Sequence, residues 1–466
     1  MEVDKGNPSA ARGLLYPALV AGMLTLLYVS SFIDRNILSQ LVKPIRADIG
    51  ITDTEYSYLS GLAFVVIYTA MGIPLGRIAD RGSRNLMVAI GCAVWSGMTA
   101  LCGLAQSFWA LFAGRLGLGI GEAAMSPAAY SLLADYFPPG RLATAMSVYS
   151  LGVPVGGGLA LLIGGWGIEY ATGLSGHGGM LSQFRPWQIV FFLIGLPGLL
   201  LAVLALFAIR EPARRHHVVA EGAGERPSFG FVLAYMWKNR AIYAAPILGV
   251  SFSGMLSYGA ALWMPAYLMR VQGYSPHDAG MFLGTSTVLL GIPGTILAGW
   301  LADRLVARGR GDGHLLVAIG YCVAIAICGA LGPIMPIRWL SIGLIGALGF
   351  FTFTWTGVAG ALLQIITPNR MRGQVSAMYL LLANIIGMGI GQTAVAMSTD
   401  HLFKHDDAVG QSLALVGIVA IALAVYFLNA GRKPIIASGL TGGGPRTIAA
   451  GQPQDAADLG LEAPAA

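Results

Sequence analysis

Two cassettes, Gly76-Arg77-Ile78-Ala79-Asp80-Arg81 and Gly299-Trp300-Leu301-Ala302-Asp303-Arg304, close two apolar stretches with one Gly-x-x-Ala-Asp-Arg pattern. They lie 223 positions apart, and the same offset maps Gly50 onto Gly273, Glu55 onto Asp278 and Gly61 onto Gly284. Further along, an offset of 229 maps Val88-Ala89-Ile90-Gly91 onto Val317-Ala318-Ile319-Gly320, and Pro139, Arg141 and Ser147 onto Pro368, Arg370 and Ser376. One six-residue loop insertion reconciles the two offsets. A chain built from two parallel copies of one unit must fold as two similar bundles, with whatever they act on held between them.

Composition says what surrounds the bundles. Hydrophobic residues make up 56% of the chain and charged residues 11%, where an average soluble domain has about 25% charged. A spanning helix needs about 20 mostly apolar residues. Twelve such stretches can be drawn, around 14–44, 55–80, 85–106, 108–136, 140–170, 187–209, 239–270, 278–304, 313–333, 337–367, 371–400 and 408–431. The expected fold is all-α and integral to the membrane, with twelve transmembrane helices in two pseudo-symmetric six-helix bundles at 14–209 and 239–431. A short N-terminus (1–13) precedes them, a linker (210–238) joins them, and a Gly/Pro/Ala-rich tail (432–466) is expected to be disordered.

The 28 Lys and Arg residues orient these spans. Twenty fall on the side that holds both termini and six on the other, with Arg35 and Arg115 embedded, so both termini are expected in the cytoplasm. The net charge of +6 then reports topology and contact with anionic headgroups, not nucleic-acid binding. Met1–Gly13 is too short and too mixed in charge for a cleavable signal. Short loops and tails suit a bacterial inner membrane. Cys92, Cys102, Cys322 and Cys328 have no CxxC spacing and read as buried thiols; no metal or cofactor is expected. No HExxH or G-x-S-x-G element occurs, and Gly117-x-Gly119-x-Gly121 lies within a span, so an enzyme is not expected. All seven histidines fall in expected loops, His314 among them, which leaves proton handling to carboxylates.

Only Asp34, Arg35, Arg115 and Glu122 lie well inside expected spans, and all four belong to the first copy. A charge at mid-bilayer costs at least about 2.5–3.5 kcal/mol, so these groups must pair or line a wet cavity. Arg115 and Glu122 are two helical turns apart on one face; Asp34 and Arg35 are adjacent, about 100° apart. A cross-helix network is expected in which Asp34 and Glu122 carry proton coupling and compete for Arg35 and Arg115. Either arginine could also receive an anionic headgroup.

The first cassette, continued by Gly82-Ser83-Arg84, resembles the signature loop of the major facilitator superfamily, and its duplication strengthens the likeness. The resemblance implies a gate on the cytoplasmic face built from Gly76, Asp80, Arg81, Arg84 and Arg141, with Asp303 and Arg304 in the pseudo-equivalent place. Gly152-Val153-Pro154-Val155-Gly156-Gly157-Gly158 partly resembles the superfamily's antiporter motif, and Gly152, Pro154, Gly156 and Gly157 are expected to form a helix seam. Ile33-Asp34-Arg35, Arg115 to Ala123 and Pro154 to Leu159 together resemble the Spinster family of lipid transporters. That likeness, confined to the first half, implies proton coupling through the Asp-Arg and Gly-Glu-Ala elements, with lysophospholipid or sphingosine-phosphate substrates. Ala124-Met125-Ser126-Pro127-Ala128 departs from the family's serine-rich run.

The second copy offers Tyr258, Trp263, Trp355, Gln364 and Asn384 as an apolar, aromatic lining with scattered amides and hydroxyls, suited to an amphipathic ligand. The expected activity is alternating-access secondary transport of an amphipathic lipid-like solute, proton-coupled, by a monomer. The alternatives are a carrier of small organic anions or a multidrug exporter, then a non-transporting membrane receptor.

Overall fold

The computed structural model is all-helical among its described residues, which are 8–176, 180–212, 227–352, 354–368 and 371–441. Each of the twelve expected stretches falls on helix. Nine helices among the described residues are long and apolar enough to cross a membrane, and the runs over 53–81, 108–136 and 338–366 make up the rest. We number these runs as spans 1 to 12 in chain order.

Several spans are irregular where they carry polar groups. Span 1 breaks at Ile37 between Pro8–Asn36 and Leu38–Ile49, directly after Asp34-Arg35. Span 2 passes through a π-helical turn, Tyr58–Leu62, and span 4 breaks at Ala124 between Phe108–Ala123 and Met125–Tyr136, directly after Glu122. Span 11 carries a longer π segment, Ala383–Gly391. Such breaks free backbone carbonyls and cluster at functional sites.

The repeat is visible in the backbone. Gly50 and Gly273, one offset apart, both take a left-handed conformation, with φ of 76° and 73°, which only glycine adopts without strain. Thr52 caps the next helix against Glu55, and the equivalent Ser275 caps its helix against Asp278. Gly61 of span 2 and Gly284 of span 8 each press on the opposite half. A Cβ on Gly61 would stand 2.8 Å from the carbonyl oxygen of Met388 in span 11; one on Gly284 would stand 2.8 Å from that of Gly158 in span 5. The two halves therefore meet along two glycine-lined seams, spans 2 with 11 and 5 with 8.

The expected glycine seam packs within the first half. Gly152 and Gly156 share a face of span 5 that packs on Tyr28 and Val29 of span 1, inside the first half; Pro154 and Gly157 are also buried. Gly158 and Gly165, two turns apart on another face, make the contact with span 8.

The boundaries also shift. The linker contains a helix, Phe229–Lys238, capped by Ser228; residues 213–226 lie outside the described residues. The expected disordered tail begins with ordered chain: Arg432–Ala437 is helical, Ile435 is buried, and Arg432 pairs with the buried Asp312 at 2.8 Å. The glycine and proline content of the tail masked that anchored first turn. Residues 442–466 lie outside the described residues.

Gly284→Val should overpack the seam between spans 5 and 8 and lower the midpoint of thermal unfolding in detergent, by an amount corresponding to about 1–3 kcal/mol. Gly320→Ala, where a Cβ meets nothing within 4 Å, should leave it unchanged or raised.

Candidate functional site

Glycines set the depth of the embedded charges. On span 4, a Cβ on Gly121 would stand 2.6 Å from the backbone nitrogen of Trp95, and one on Gly119 3.1 Å from the carbonyl oxygen of Phe64. Span 4 therefore lies directly on spans 2 and 3, and brings Arg115 and Glu122 against the break in span 1.

The four charges divide differently from the expected competition. Arg35 and Glu122 form a buried ion pair, through Nε at 3.1 Å and through a second guanidinium nitrogen. The Arg35 guanidinium also stacks on aromatic rings, 4.2 Å from the Phe64 centroid, 4.6 Å from Phe32 and 5.4 Å from Tyr68. Among the described residues, Arg115 pairs with no carboxylate. It donates to the carbonyl oxygens of Asp34 (3.0 Å), Arg35 (3.1 Å) and Leu59 (3.3 Å), the carbonyls that the span 1 break and the span 2 π turn leave available. Arg115 is thus a backbone staple, 1% exposed, and offers no face to a ligand in this structure.

Asp34 is wholly buried, faced by Thr99 and Trp95, and neither of its oxygens makes a well-formed hydrogen bond. The Thr99 hydroxyl and the Trp95 indole nitrogen are equally unmatched. An ionised carboxylate without a partner is costly in such a place.

An aromatic wall that sequence reasoning missed surrounds the pair. Tyr28 stacks on Tyr149 at 4.4 Å, and Tyr130 meets Tyr149 edge-on at 5.5 Å. Its signal was available: Tyr28 with Phe32, and Phe64 with Tyr68, stand at i, i+4 beside the embedded charges. From the second half, the Tyr258 hydroxyl donates to Asn384 at 3.3 Å, both half-buried, bringing two of the expected lining residues together.

The other expected lining residues do not join them. Trp263 is fully buried and donates to the Gln392 carbonyl at 2.9 Å, beneath Arg270 and beside Tyr56, so it plugs the end of the bundle away from the termini. Gln364 is exposed and donates to Ser376. The Trp355 side chain lies outside the described residues, as do those of Asp80 and Arg81.

Of the remaining expected gate residues, Arg84 is held inside the first half, where it pairs with Asp135 and, at 2.7 Å, with Glu211. Gly76 has nothing within 4 Å of a Cβ, Arg141 and Asp303 are exposed, and Arg304 is exposed with its guanidinium 4.8 Å from the Trp300 ring. His314, expected in a loop, is buried in the first turn of span 9.

The end away from the termini is closed. Asp53, 0% exposed, accepts from Arg270 of the second half at 2.6 and 2.8 Å and pairs with Arg46 at 3.0 Å. Arg46 in turn reaches Asp406 at 2.9 Å, and Thr54 donates to Asp400 through its amide at 2.7 Å and its hydroxyl at 2.6 Å. Among the described residues, every ion pair that joins the halves lies at this far end.

Known proteins agree with this architecture. The family model described as Major Facilitator Superfamily matches residues 24–392. The chain belongs to that superfamily. It is a multi-pass membrane transporter. It is 28% identical, over 86% of its length and 88% of the relative's, to an "MFS-type efflux pump" of Mycolicibacterium smegmatis. It is 24% identical to Protein spinster homolog 1 of Xenopus laevis, over 85% and 76% of the two chains. A crystal structure of a bacterial homolog to the human lysosomal transporter Spinster, inward-facing and unoccupied, superposes with a TM-score of 0.73 at 26% identity, covering 92% of this chain and 98% of that one.

Asp53→Asn should open the far end. Breaking one side of a buried ion network costs about 3–5 kcal/mol, enough to reverse a two-state population, so spin-label distances between the far ends of spans 2 and 7 should lengthen. Glu55→Gln, which touches only the helix cap, should leave them as they are; an unchanged distribution in Asp53→Asn would mean that Asp53 closes nothing.

Proposed function

We propose that the chain is a proton-coupled secondary carrier of an amphipathic anionic solute, of lysophospholipid or sphingosine-phosphate type. It works by alternating access as a monomer in a bacterial inner membrane, with both termini in the cytoplasm. The observation that carries this reading is one buried ion pair, Arg35 with Glu122, set in an aromatic wall between the halves. A phosphate headgroup would take the guanidinium as Glu122 gains a proton, while the rings of Phe32, Phe64 and Tyr68 accept the apolar body. Asp34, buried without a partner a few ångströms along the same helix, supplies a second place for a proton. The far end, locked by ion pairs between the halves, favours an inward-facing carrier. The Spinster likeness and the bacterial Spinster homolog support that reading.

Export of cationic amphiphiles is the second reading, favoured by the same cage: if Arg35 swings aside, Glu122 among aromatic rings is a cation site. The efflux-pump relative points the same way. Proteoliposomes loaded in turn with a lysophospholipid and a lipophilic cation separate the two.

Under the leading reading, Asp34→Asn and Glu122→Gln should abolish uptake driven by a pH gradient while the protein stays monodisperse. Full activity in both would refute a carboxylate relay. Arg35→Lys should weaken binding of the anionic lysolipid more than tenfold and spare a matched neutral ligand. Arg115→Lys, which disturbs only the backbone staple, should weaken both alike. Equal losses in Arg35→Lys would remove the headgroup role.

A further inference from the structure

Spans 8 and 10 leave a cleft of about 550 Å³ on the outer surface of the second half, remote from the ion pair. It is lined by Met281, Phe282, Thr285, Leu290 and Gly346, with Asp278 at its mouth. The lining falls on two apolar helices, span 8 and, through Gly346, span 10, so the space opens into hydrocarbon and a lipid chain is its natural filling. The height of the polar groups can be placed. The Ser286 hydroxyl donates to the Gly346 carbonyl across the two helices, which run in the same direction. Asp278 and Arg338 each precede that contact by eight residues on their own helix, about 12 Å, and so stand level at the far-side rim. Both are exposed and both lean on one loop: Arg338 donates to the Gln272 carbonyl at 3.2 Å and Asp278 accepts from Ser275 at 2.7 Å. A cation and a carboxylate at one level above an apolar cleft are complementary to a zwitterion.

We propose that this cleft is a binding site for a bilayer phospholipid with a primary ammonium headgroup. The phosphate sits at Arg338, the ammonium at Asp278, and an acyl chain lies along Met281, Phe282 and Leu290. Glu169 of span 5, exposed and 3.4 Å from His277, adds negative charge beside the ammonium end. Because Trp166 of span 5 donates to Met281 at 3.3 Å, an occupied cleft would brace the seam between spans 5 and 8 from the lipid side. The site goes beyond the transport reading and uses none of its residues.

Native mass spectrometry of the purified full-length protein, titrated with phosphatidylethanolamine or phosphatidylglycerol, tests it. Wild type should retain one phosphatidylethanolamine with about tenfold preference, the scale of one charge-assisted hydrogen bond. Asp278→Asn should erase the preference without loss of phosphatidylglycerol, Arg338→Gln should weaken both lipids, and Thr285→Trp should displace both by filling the cleft. Met281→Trp serves as the second filling variant if the first is not monodisperse. Glu122→Gln should retain the lipid as wild type does, which keeps this result separate from the transport reading. Equal retention of the two lipids by wild type, or undiminished retention in a filled cleft, would overturn the proposal.

Discussion

Arg35 and Glu122 meet as an ion pair in the middle of an apolar bundle, and much of the first half is arranged to keep them together. Glycines at 119 and 121 lower span 4 onto its neighbours, the break at Ile37 turns span 1 beside it, and Phe32, Phe64 and Tyr68 wall the guanidinium. None of this is a stability device, since buried ion pairs rarely improve on apolar packing of the same volume. Under the proposed function, what the pair supplies is a polar contact that can be exchanged for another, provided the surroundings hold still. Arg115 provides the stillness by satisfying three carbonyls of the irregular backbone around it, which would otherwise stand unmatched in a medium with no water.

The repeat shares its backbone between the halves and divides its chemistry unequally. Turn glycines, helix caps and seam glycines recur at one offset, because they answer to helix geometry, which is the same in both copies. The embedded charges do not recur. A clamp at the end bearing the termini even inverts its sign: Arg84 at the start of span 3 is held by Glu211 after span 6, whereas Asp312 at the start of span 9 is held by Arg432 after span 12. Either polarity ties a loop to the last helix of its own bundle, so each half can move as one body. A duplicated frame is free to diverge in charge wherever only the tie matters.

How much of this was legible follows from which physics each feature obeys. The spans, the two-fold repeat and the four embedded charges were legible because lipid imposes length and polarity on sequence directly. Who pairs with whom was not. Heptad spacing put Arg115 and Glu122 on one face, but backbone carbonyls released by a helix break are invisible to residue counting, and they claimed Arg115. Asp53 was similarly hidden: in sequence it is an acid near a helix start, and only the fold brings Arg46 and Arg270 to it from spans 1 and 7. Trp263 was read as lining because an aromatic in a span suits a cavity wall, yet its indole hydrogen found a carbonyl of span 11 and the ring closed over it. The anchored start of the tail was lost to composition, which averages away a single buried isoleucine.

The two ends of the molecule solve opposite problems with the same residue types. At the far end, Asp53 is wholly buried and shared by two arginines, so separating the halves there must leave at least one charge without its partner until water enters. At the end bearing the termini, Arg141, Asp303 and Arg304 are already in solvent, where an ion pair is worth about 0–1 kcal/mol. Closing that end would therefore gain little from Coulomb attraction until the groups are desolvated together, and opening the far end would lose much until they are hydrated. Both barriers fall on the same intermediate, with each end half wet. A carrier built this way resists opening its far end, because the first separation there leaves Asp53 or one of its arginines without a partner before water arrives.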